Sequence, residues 1–272
     1  MTKTVVVLGA GAGGLAAVGR LGTNLPSSDR IVLIDRSFTG SLGLSSLRVL
    51  RGWRTPEEVV TTVRPAALPG VSMVTGEVVG VDTDARAVQY RQDGSAAAVE
   101  YDALVLALGA GLDTAAIPGL NAALSRGVAG EFYTPDGAAD LHRRIDTLES
   151  GRIVVLIVAL PFKCPPAPYE AAFLIADHLG ERFTGGAVRV DVITPEPRPI
   201  PVVDAQVGEA VVDMLGARGI GFHPGKTVST INPATRTVEF TDGSTEPFDL
   251  LAVVPPHTSP AAAVLAGGVN PA

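Results

Sequence analysis

The sequence predicts an α/β fold with two Rossmann-like dinucleotide-binding domains, each a three-layer parallel sheet carrying an antiparallel meander. Strand patterns without polar alternation, which are typical of buried parallel strands, alternate with helical patterns along the chain. A glycine-rich turn follows the first strand, and the order of strand, helix, strand and meander recurs in the second half. We expect residues 1–118 to form the first domain, with 255–272 returning to it, and residues 119–254 to form the second.

The first half contains one complete βαβ unit. Thr4–Leu8 is a short β-branched run that predicts a buried strand. A helix is expected from about Gly13 to Leu25, followed by a strand from Ile31 that ends at Asp35. The strands expected after it, a meander turning at Asp93-Gly94 and a further buried strand, are Val78–Val81, Ala87–Tyr90, Val99–Tyr101 and Ala103–Leu108.

The second half repeats this order around a long apolar run. The expected helices are Pro135–Leu148, Tyr169–Phe183 and Ala205–Gly219. The expected parallel strands are Ile153–Leu160 and Val188–Ile193. The expected second meander consists of Thr227–Ile231, Thr237–Thr241 and Phe248–Val254.

Composition excludes several classes of protein. The 272 residues are 46% apolar and 18% charged, which is typical of a globular chain and not of a disordered or fibrous one. The net charge of −7, without a Lys/Arg run, argues against nucleic-acid or anionic-membrane partners. The longest apolar run stops at Pro161, so no transmembrane segment is predicted, and the absence of a signal-peptide pattern at the start predicts a cytoplasmic protein.

The turn after the first strand reads Gly9-Ala10-Gly11-Ala12-Gly13-Gly14 and fits the pattern GxGxxG. Gly9 permits the tight turn, Gly11 lets a pyrophosphate approach the backbone, and Gly14 lets helix and strand pack closely. Asp35 lies at the end of the second strand, where a carboxylate can accept hydrogen bonds from a ribose diol. Arg36 is interpreted as solvated or as stacking on adenine. The alternative is a glycine-rich turn that serves helix packing alone.

The corresponding turn of the second half reads PFKCPPAPYE, from Pro161 to Glu170. Proline has no N–H, so four prolines in eight residues disfavour a second pyrophosphate site, and with it nicotinamide binding. The single cysteine, Cys164, cannot form an internal disulfide. Lys163 and the following helix N-terminus predict a lowered thiol pKa and a reactive thiolate. The alternative is a buried structural cysteine.

The segment PFKCPPAPYEAAF, with the GAGAGG start and the LALGA strand end, resembles sulfide:quinone oxidoreductases and, more closely, the flavoprotein subunit of flavocytochrome c sulfide dehydrogenases. Both belong to the FAD-dependent pyridine nucleotide-disulfide oxidoreductase superfamily. The segment 38–59 also resembles the stretch that follows the acidic ribose ligand in these proteins. The resemblance implies that FAD binds in the first domain and that Cys164 is the first of two redox cysteines beside the flavin. The implied cofactor-binding residues are Gly9, Ala10, Gly11, Gly13, Gly14, Asp35, Arg36, Val79, Ala107, Leu108 and Gly109.

The chain also departs from the family pattern. It is expected to be C-terminally short, ending before the Gly-Asp segment that completes the FAD domain and before the second cysteine. The C-terminal membrane-binding region of the quinone-linked enzymes is likewise expected to be missing. The resemblance implies an enzyme that oxidises sulfide or a related sulfur species and passes electrons to a quinone or cytochrome. The alternatives are an NAD(P)H-dependent flavin oxidoreductase and a catalytically silent FAD-binding fragment.

The four histidines are His142, His178, His223 and His257, and they are far apart in the sequence without metal-ligand spacing. We therefore expect no metal site.

Overall fold

The computed structural model of the protein describes residues 2–260. Over this range the chain divides into two compact units. The first unit contains residues 2–42, 60–111 and 258–260, and the second contains residues 43–59 and 112–257. Within residues 2–260, no helix has the length and apolar character needed to cross a membrane.

The helices are short and the strands numerous. The helices are α1 (Ala12–Asn24), α2 (Ser45–Leu50), α3 (Pro56–Val59), α4 (Leu120–Ser125), α5 (Pro135–Asp146), α6 (Ala167–Leu179), α7 (Glu181–Thr184) and α8 (Ala205–Ala217), with one 3-10 turn at Pro65–Ala67. The strands are β1 (Thr4–Leu8), β2 (Arg30–Asp35), β3 (Thr39–Ser41), β4 (Val60–Thr62), β5 (Val71–Thr75), β6 (Glu77–Asp82), β7 (Ala87–Gln92), β8 (Ser95–Glu100), β9 (Ala103–Leu106), β10 (Gly111–Leu112), β11 (Ala129–Glu131), β12 (Gly151–Ile157), β13 (Val188–Ile193), β14 (Gly221–His223), β15 (Val228–Asn232), β16 (Thr237–Phe240), β17 (Thr245–Pro247), β18 (Leu250–Val254) and β19 (His257–Thr258).

The first unit is built on a parallel sheet in the order β5-β2-β1-β9. Its central strand β1 is buried from Val5 to Leu8 because both faces are covered. One face of the sheet packs against α1, which contributes Val18. The other face packs against the meander β6-β7-β8, which contributes Val81 and Val88. The Rossmann-like layering expected of the first half is confirmed.

The second unit has a five-stranded parallel sheet in the order β11-β18-β12-β13-β14 and a separate meander, β15-β16-β17. Strand β12 lies at the centre and is buried from Ile153 to Ile157. The helices α5 and α6 contribute to the core on one face, and the meander contributes Val238 and Phe240 to the core on the other. The second α/β unit is therefore also confirmed.

The expectation for residues 248–254 is wrong in part. The third meander strand is β17, whereas β18 inserts between β11 and β12 of the parallel sheet. All five residues of β18, LLAVV, are buried, which suits a strand covered on both faces. An exposed meander strand would instead alternate apolar and polar residues.

The expected domain boundaries also need correction. The chain enters the second unit at Leu112, ahead of the expected boundary at 118, and leaves it after His257 rather than after 254. Residues 43–59 belong to the second unit although they lie within the first half of the sequence. The physical reason is that Leu47 and Leu50 of α2 are buried in the core that α5 and α6 form. Of the expected return segment, 258–260 lies in the first unit, and residues 261–272 lie outside the described residues.

Gly119, which precedes α4, provides a test of this fold. Its φ is +82°, and a Cβ there would lie 1.8 Å from the carbonyl oxygen of Ile231 in β15. We expect Gly119→Ala to lower the free energy of unfolding by at least about 2 kcal/mol, from backbone strain and this collision. Chemical denaturation measures the change.

Gly216→Ala is the matched control. Gly216 lies within α8, and an added Cβ there meets no heavy atom within 4 Å. Alanine should therefore raise stability there by about 0.5–1 kcal/mol through helix propensity. Equal effects of the two substitutions would contradict the packing of α4 against the meander.

Candidate functional site

The turn after β1 is held together by two close backbone approaches. Gly9 has φ +96°, its N–H donates to the Ile34 carbonyl oxygen at 2.8 Å, and a Cβ on it would lie 2.3 Å from the Ala107 carbonyl oxygen. A Cβ on Gly14 would lie 1.8 Å from the carbonyl oxygen of Gly9. These two positions accept only glycine if α1 is to begin this close to β1 and β9.

Gly11 lies in a different environment. It precedes α1, and a Cβ on it would meet no heavy atom within 4 Å. Among residues 2–260, no side chain caps this helix N-terminus, and its first turn carries no acidic residue. The first N–H groups of a helix have no partner within the helix and lie at the positive end of its dipole. The turn therefore presents backbone donors to an anion such as a pyrophosphate.

The Asp35 carboxylate braces the turn. One oxygen accepts the backbone N–H of Ala10 at 2.8 Å. The other accepts the N–H groups of Ser37 at 3.0 Å and Phe38 at 2.8 Å. Each carboxylate oxygen has further lone pairs, so the group can also accept hydrogen bonds from a ligand diol. Asp35 thus has a structural role in this turn, and its expected contact with a ribose diol stays a prediction.

A cavity of about 510 Å³ lies in the first unit beside this turn. It is lined by Gly9, Ile34, Asp35, Arg36, Gly76, Glu77, Val78, Val79, Leu108, Ala110, Gly111, Thr258 and Pro260. Five residues singled out from the sequence are among them: Gly9, Asp35, Arg36, Val79 and Leu108. The volume and the mixture of apolar walls with three charged side chains, Asp35, Arg36 and Glu77, are typical of a cofactor site.

Two further residues expected from the sequence, Ala107 and Gly109, lie next to residues that form this cavity. Ala107 packs against the turn, since its Cβ lies 3.8 Å from the position of a Cβ on Gly13. Gly109 has φ +75° and separates Leu108 from Ala110, which both line the cavity.

Sequence reasoning missed Gly76, Glu77 and the pair Thr258 and Pro260 as lining residues. Gly76 has no local sequence signal, because it is placed by the long-range pairing of β5 with β2, where its N–H donates to the Asp35 carbonyl oxygen at 2.9 Å. Thr258 and Pro260 have none either, since they reach the first unit only after the chain has completed the second.

Cys164 lies in the loop between β12 and α6 of the second unit and is half-buried. Its φ is +59°, a left-handed conformation that costs an L residue about 1–2 kcal/mol. Its carbonyl oxygen accepts the N–H of Ala167 at 2.9 Å, which ties the loop to the start of α6. Backbone strain of this kind at a cysteine, a reactive residue type, is typical of functional sites.

The expectation of a lowered thiol pKa is wrong for this structure. Burial raises the pKa of the Cys164 thiol, and the Glu170 carboxylate in the first turn of α6 raises it further. The backbone N–H of Ala167 acts in the opposite direction without reversing the shift. Desolvation of the thiolate thus outweighs the favourable position near a helix N-terminus.

A second cavity, of about 170 Å³, lies beside this cysteine within the second unit. It is lined by Gly43, Leu44, Leu47, Phe132, Tyr133, Lys163, Cys164 and Ala167. Most of these residues are apolar, so the polar atoms available to a small occupant come from Tyr133, Lys163 and Cys164.

The corresponding strand end of the second unit holds Glu196, which is not offered to a ligand. Glu196 is 2% exposed and accepts hydrogen bonds from the Tyr169 hydroxyl and, at 3.2 Å, from the Thr194 hydroxyl. Burial raises the pKa of this carboxyl group. Glu196 therefore differs from Asp35, whose carboxylate is hydrogen-bonded to the backbone but also lines a cavity. The prolines before α6 are a second difference between the two units.

The histidines are far apart in the sequence, but one pair of them is close in space. The rings of His142 in α5 and His178 in α6 have centroids 4.7 Å apart, and Asp146 lies within reach of both. The ligand atoms of these three side chains lie within 4.8 Å of one another, so sequence spacing alone missed a possible metal-binding geometry. The segments are separated in sequence but adjacent in the core.

Hydrogen bonding assigns this cluster a structural role. The Arg51 guanidinium only donates, so its contact of 3.1 Å requires His178 Nδ1 to be an acceptor. His178 Nε2 then carries the proton and donates to Asp146 at 2.6 Å. His142 Nδ1 donates to the Leu50 carbonyl oxygen at 3.0 Å. The network links α2, α5 and α6, the three helices that pack residues 43–59 into the second unit.

Comparison with known proteins identifies the family. Residues 3–155 match the family described as pyridine nucleotide-disulphide oxidoreductase. The chain belongs to this family. Residues 138–255 match the family described as the central part of the flavoprotein chain of flavocytochrome c sulfide dehydrogenase. Members of the family are FAD-binding flavoprotein oxidoreductases.

A curated relative and two solved structures are similar over the whole described chain. The sulfide-quinone reductase of Aquifex aeolicus is 26% identical over all of this chain and 63% of its own length. The structure of the sulfide:quinone oxidoreductase from Aquifex aeolicus matches with a TM-score of 0.82 at 23% identity, covering 98% of this chain and 61% of that one. The NAD-dependent persulfide reductase from A. fulgidus matches with a TM-score of 0.72 at 20% identity, covering 97% and 48%.

The cavity of the first unit fits the ADP part of FAD. The uncapped start of α1 at Gly11 would offer N–H groups to the pyrophosphate, and Asp35 would offer carboxylate oxygens to the adenosine ribose. Val78 and Val79 line the same cavity and would provide apolar contact for the adenine. FAD would supply a two-electron acceptor when bound.

The two glycines of the turn should respond differently to alanine. Gly11→Ala leaves the fold intact, because the methyl group enters open space, but it obstructs the approach of a pyrophosphate to the backbone. We expect unchanged thermal stability and a loss of FAD affinity of at least about tenfold. Gly14→Ala collides with the Gly9 carbonyl oxygen and should lower stability as well as flavin content.

Thermal melting and the ratio of flavin to protein absorbance give both measurements. A Gly11→Ala protein that binds FAD as tightly as the parent would contradict the assignment of this turn to the pyrophosphate.

Asp146→Asn tests the network among the helices. Burial alone would raise the pKa of Asp146, but the hydrogen bond from the His178 N–H, together with the nearby His142 and Arg182, lowers it overall. The lowered pKa stabilises the fold above the ordinary value of 3.8, and this stability is lost as the pH falls from there through the folded-state pKa. We expect Asp146→Asn to cost about 1 kcal/mol near neutral pH and progressively less below pH 4, as measured by denaturation at several pH values. A difference that stays constant down to pH 2 would refute this linkage.

Proposed function

We propose that this protein is a FAD-dependent oxidoreductase that oxidises sulfide or a related sulfur species at Cys164 and passes the electrons to a quinone or a cytochrome. The observation that carries the proposal is the single thiol in a strained loop, beside a small apolar cavity, in a chain of a flavoprotein oxidoreductase family. The match of residues 138–255 to the sulfide dehydrogenase flavoprotein chain, which includes this loop, supports the sulfur substrate.

The chemistry proposed for Cys164 is formation of a persulfide. The thiolate and a hydrosulfide ion would form one S–S bond with release of the hydrosulfide proton, and bound FAD would supply the acceptor for the two electrons. The apolar cavity excludes water from the reacting sulfur atoms, and the Ala167 N–H, which favours the charged thiolate, would help to hold Cys164 in its reactive form. Since burial and Glu170 raise the pKa of the thiol, we expect the reaction to quicken as the pH rises through that pKa.

A nicotinamide-dependent reaction is disfavoured by two local features. Prolines occupy the turn before α6, where a pyrophosphate would need N–H donors, and Pro168 lies in the first turn of the helix itself. Glu196, the acidic residue at the end of the next strand, is buried and bonded to Tyr169 and Thr194. The reductase and oxidase relatives that use nicotinamide share the fold at 20% identity or less.

Anaerobic addition of sulfide to the FAD-loaded protein tests the proposal. Sulfide should bleach the visible flavin band, and Cys164→Ser should slow the bleaching by at least about tenfold because the sulfur-binding thiol is gone. Dithionite, which reduces flavin without a cysteine, is the control and should bleach both proteins equally.

Three outcomes contradict the proposal in different ways. Equal bleaching of the parent and Cys164→Ser by sulfide would remove Cys164 from the reaction. A flavin that dithionite bleaches but sulfide does not would favour a catalytically silent FAD-binding protein. Bleaching by NADH in place of sulfide would favour the nicotinamide alternative.

A further inference from the structure

Tyr133 is an unusual member of the cavity beside Cys164. It lies between β11 and α5, it is 8% exposed, and its hydroxyl is buried without a hydrogen-bond partner among residues 2–260. An unpaired buried hydroxyl costs about 1–3 kcal/mol. Because buried polar groups in native structures are generally hydrogen-bonded, this hydroxyl is a candidate donor to a ligand.

The backbone around Tyr133 is firmly held. The Glu131 carboxylate accepts the backbone N–H of Tyr133 at 2.5 Å and that of Thr134 at 3.0 Å. The Thr134 hydroxyl in turn caps α5 by accepting the N–H of Gly137 at 3.0 Å. The ring of Tyr133 packs edge-on against His257, with centroids 4.8 Å apart. The ring is therefore positioned by its own local structure and not by its hydroxyl.

The charges around the cavity keep the tyrosine protonated. Burial raises the pKa of Tyr133 most, and the negative charges of Cys164, Glu196 and Glu131 raise it further, with Cys164 first among them. The Lys163 ammonium lies 6.0 Å from the centroid of the Tyr133 ring. His257 lies close to the same lysine, and burial and the Lys163 charge lower the pKa of His257. The hydroxyl is consequently a donor at any pH at which the fold is studied.

We propose that the Tyr133 hydroxyl donates a hydrogen bond to the terminal sulfur of a persulfide on Cys164. The inference rests on the proposed function, since it assumes that Cys164 binds a second sulfur. Tyr133 and Cys164 line one cavity, and a persulfide extends the cysteine side chain by one S–S bond of about 2 Å. The apolar remainder of the cavity leaves an anionic sulfur few other donors, which makes Tyr133 a positioning residue for this species.

The persulfide can be made without flavin. The Cys164 thiolate attacks a sulfur of inorganic tetrasulfide, one S–S bond of the tetrasulfide breaks as the S–S bond to Cys164 forms, and trisulfide leaves with the electron pair. No further oxidant is needed because the transferred sulfur is already at the sulfane level. Since Cys164 is the only cysteine, intact mass reports this site alone.

The experiment compares the parent with Tyr133→Phe after incubation with tetrasulfide. We expect the equilibrium yield of the persulfide to fall about tenfold, and the pH midpoint of its reaction with iodoacetamide to rise by about one unit, because the anion loses a donor. The thermal midpoint should not fall, since the substitution removes an unpaired hydroxyl. Tyr101→Phe, in the first unit, is the matched control and should change none of the three values.

Each contrary result overturns the inference. An unchanged pH midpoint of the iodoacetamide reaction in Tyr133→Phe shows that the hydroxyl does not reach the persulfide. A fall in the thermal midpoint shows that the hydroxyl already has a structural partner. If sulfide bleaches the flavin of the parent but Tyr133→Phe changes neither the persulfide yield nor the pH midpoint, only this inference is contradicted. A parent protein that gains no sulfur from tetrasulfide would count against the persulfide chemistry of the proposed function as well.

Discussion

The first unit depends on the contact between Gly14 and the carbonyl oxygen of Gly9. Because neither residue has a Cβ, α1 can begin directly after the end of β1, and Gly9 of this turn lines the cavity. The same geometry places Asp35 where its carboxylate can accept the Ala10 N–H. The same backbone turn thus holds the fold together and presents helix N–H donors of the kind that bind phosphate groups.

The parts of the fold that were predictable from sequence have local signals. Thr4–Leu8 and Val188–Ile193 are strands at their predicted positions because runs of β-branched residues suit strands covered on both faces. The segment 250–254 was misassigned because a hairpin-like sequence precedes it, and only its lack of polar alternation indicates the parallel sheet. The inclusion of α2 in the second unit had no local signal, since it depends on long-range packing with α5 and α6.

The residues of the two cavities also divide into those with a local sequence signal and those without one. The glycines and Asp35 were identifiable because the geometry of a tight turn restricts the residue types that can occupy it. Tyr133 was not identifiable, because its significance lies in an unpaired hydroxyl beside a cysteine that is distant in sequence. The proximity of His142 and His178 was hidden for the same reason. Burial also reversed the expected direction of the Cys164 pKa, and residue order carries no information about burial of that kind.

The most direct test is a binding titration of the flavin-free protein with FAD, followed by competition with ADP and with FMN. If the turn at Gly9–Gly14 and Asp35 anchors the adenosine diphosphate half of the cofactor, FAD should bind with one site per chain and ADP should displace it. FMN, which lacks that half, should compete far more weakly. Displacement of FAD by FMN but not by ADP would contradict the assignment of the first unit's cavity, and with it the proposed place of the cofactor.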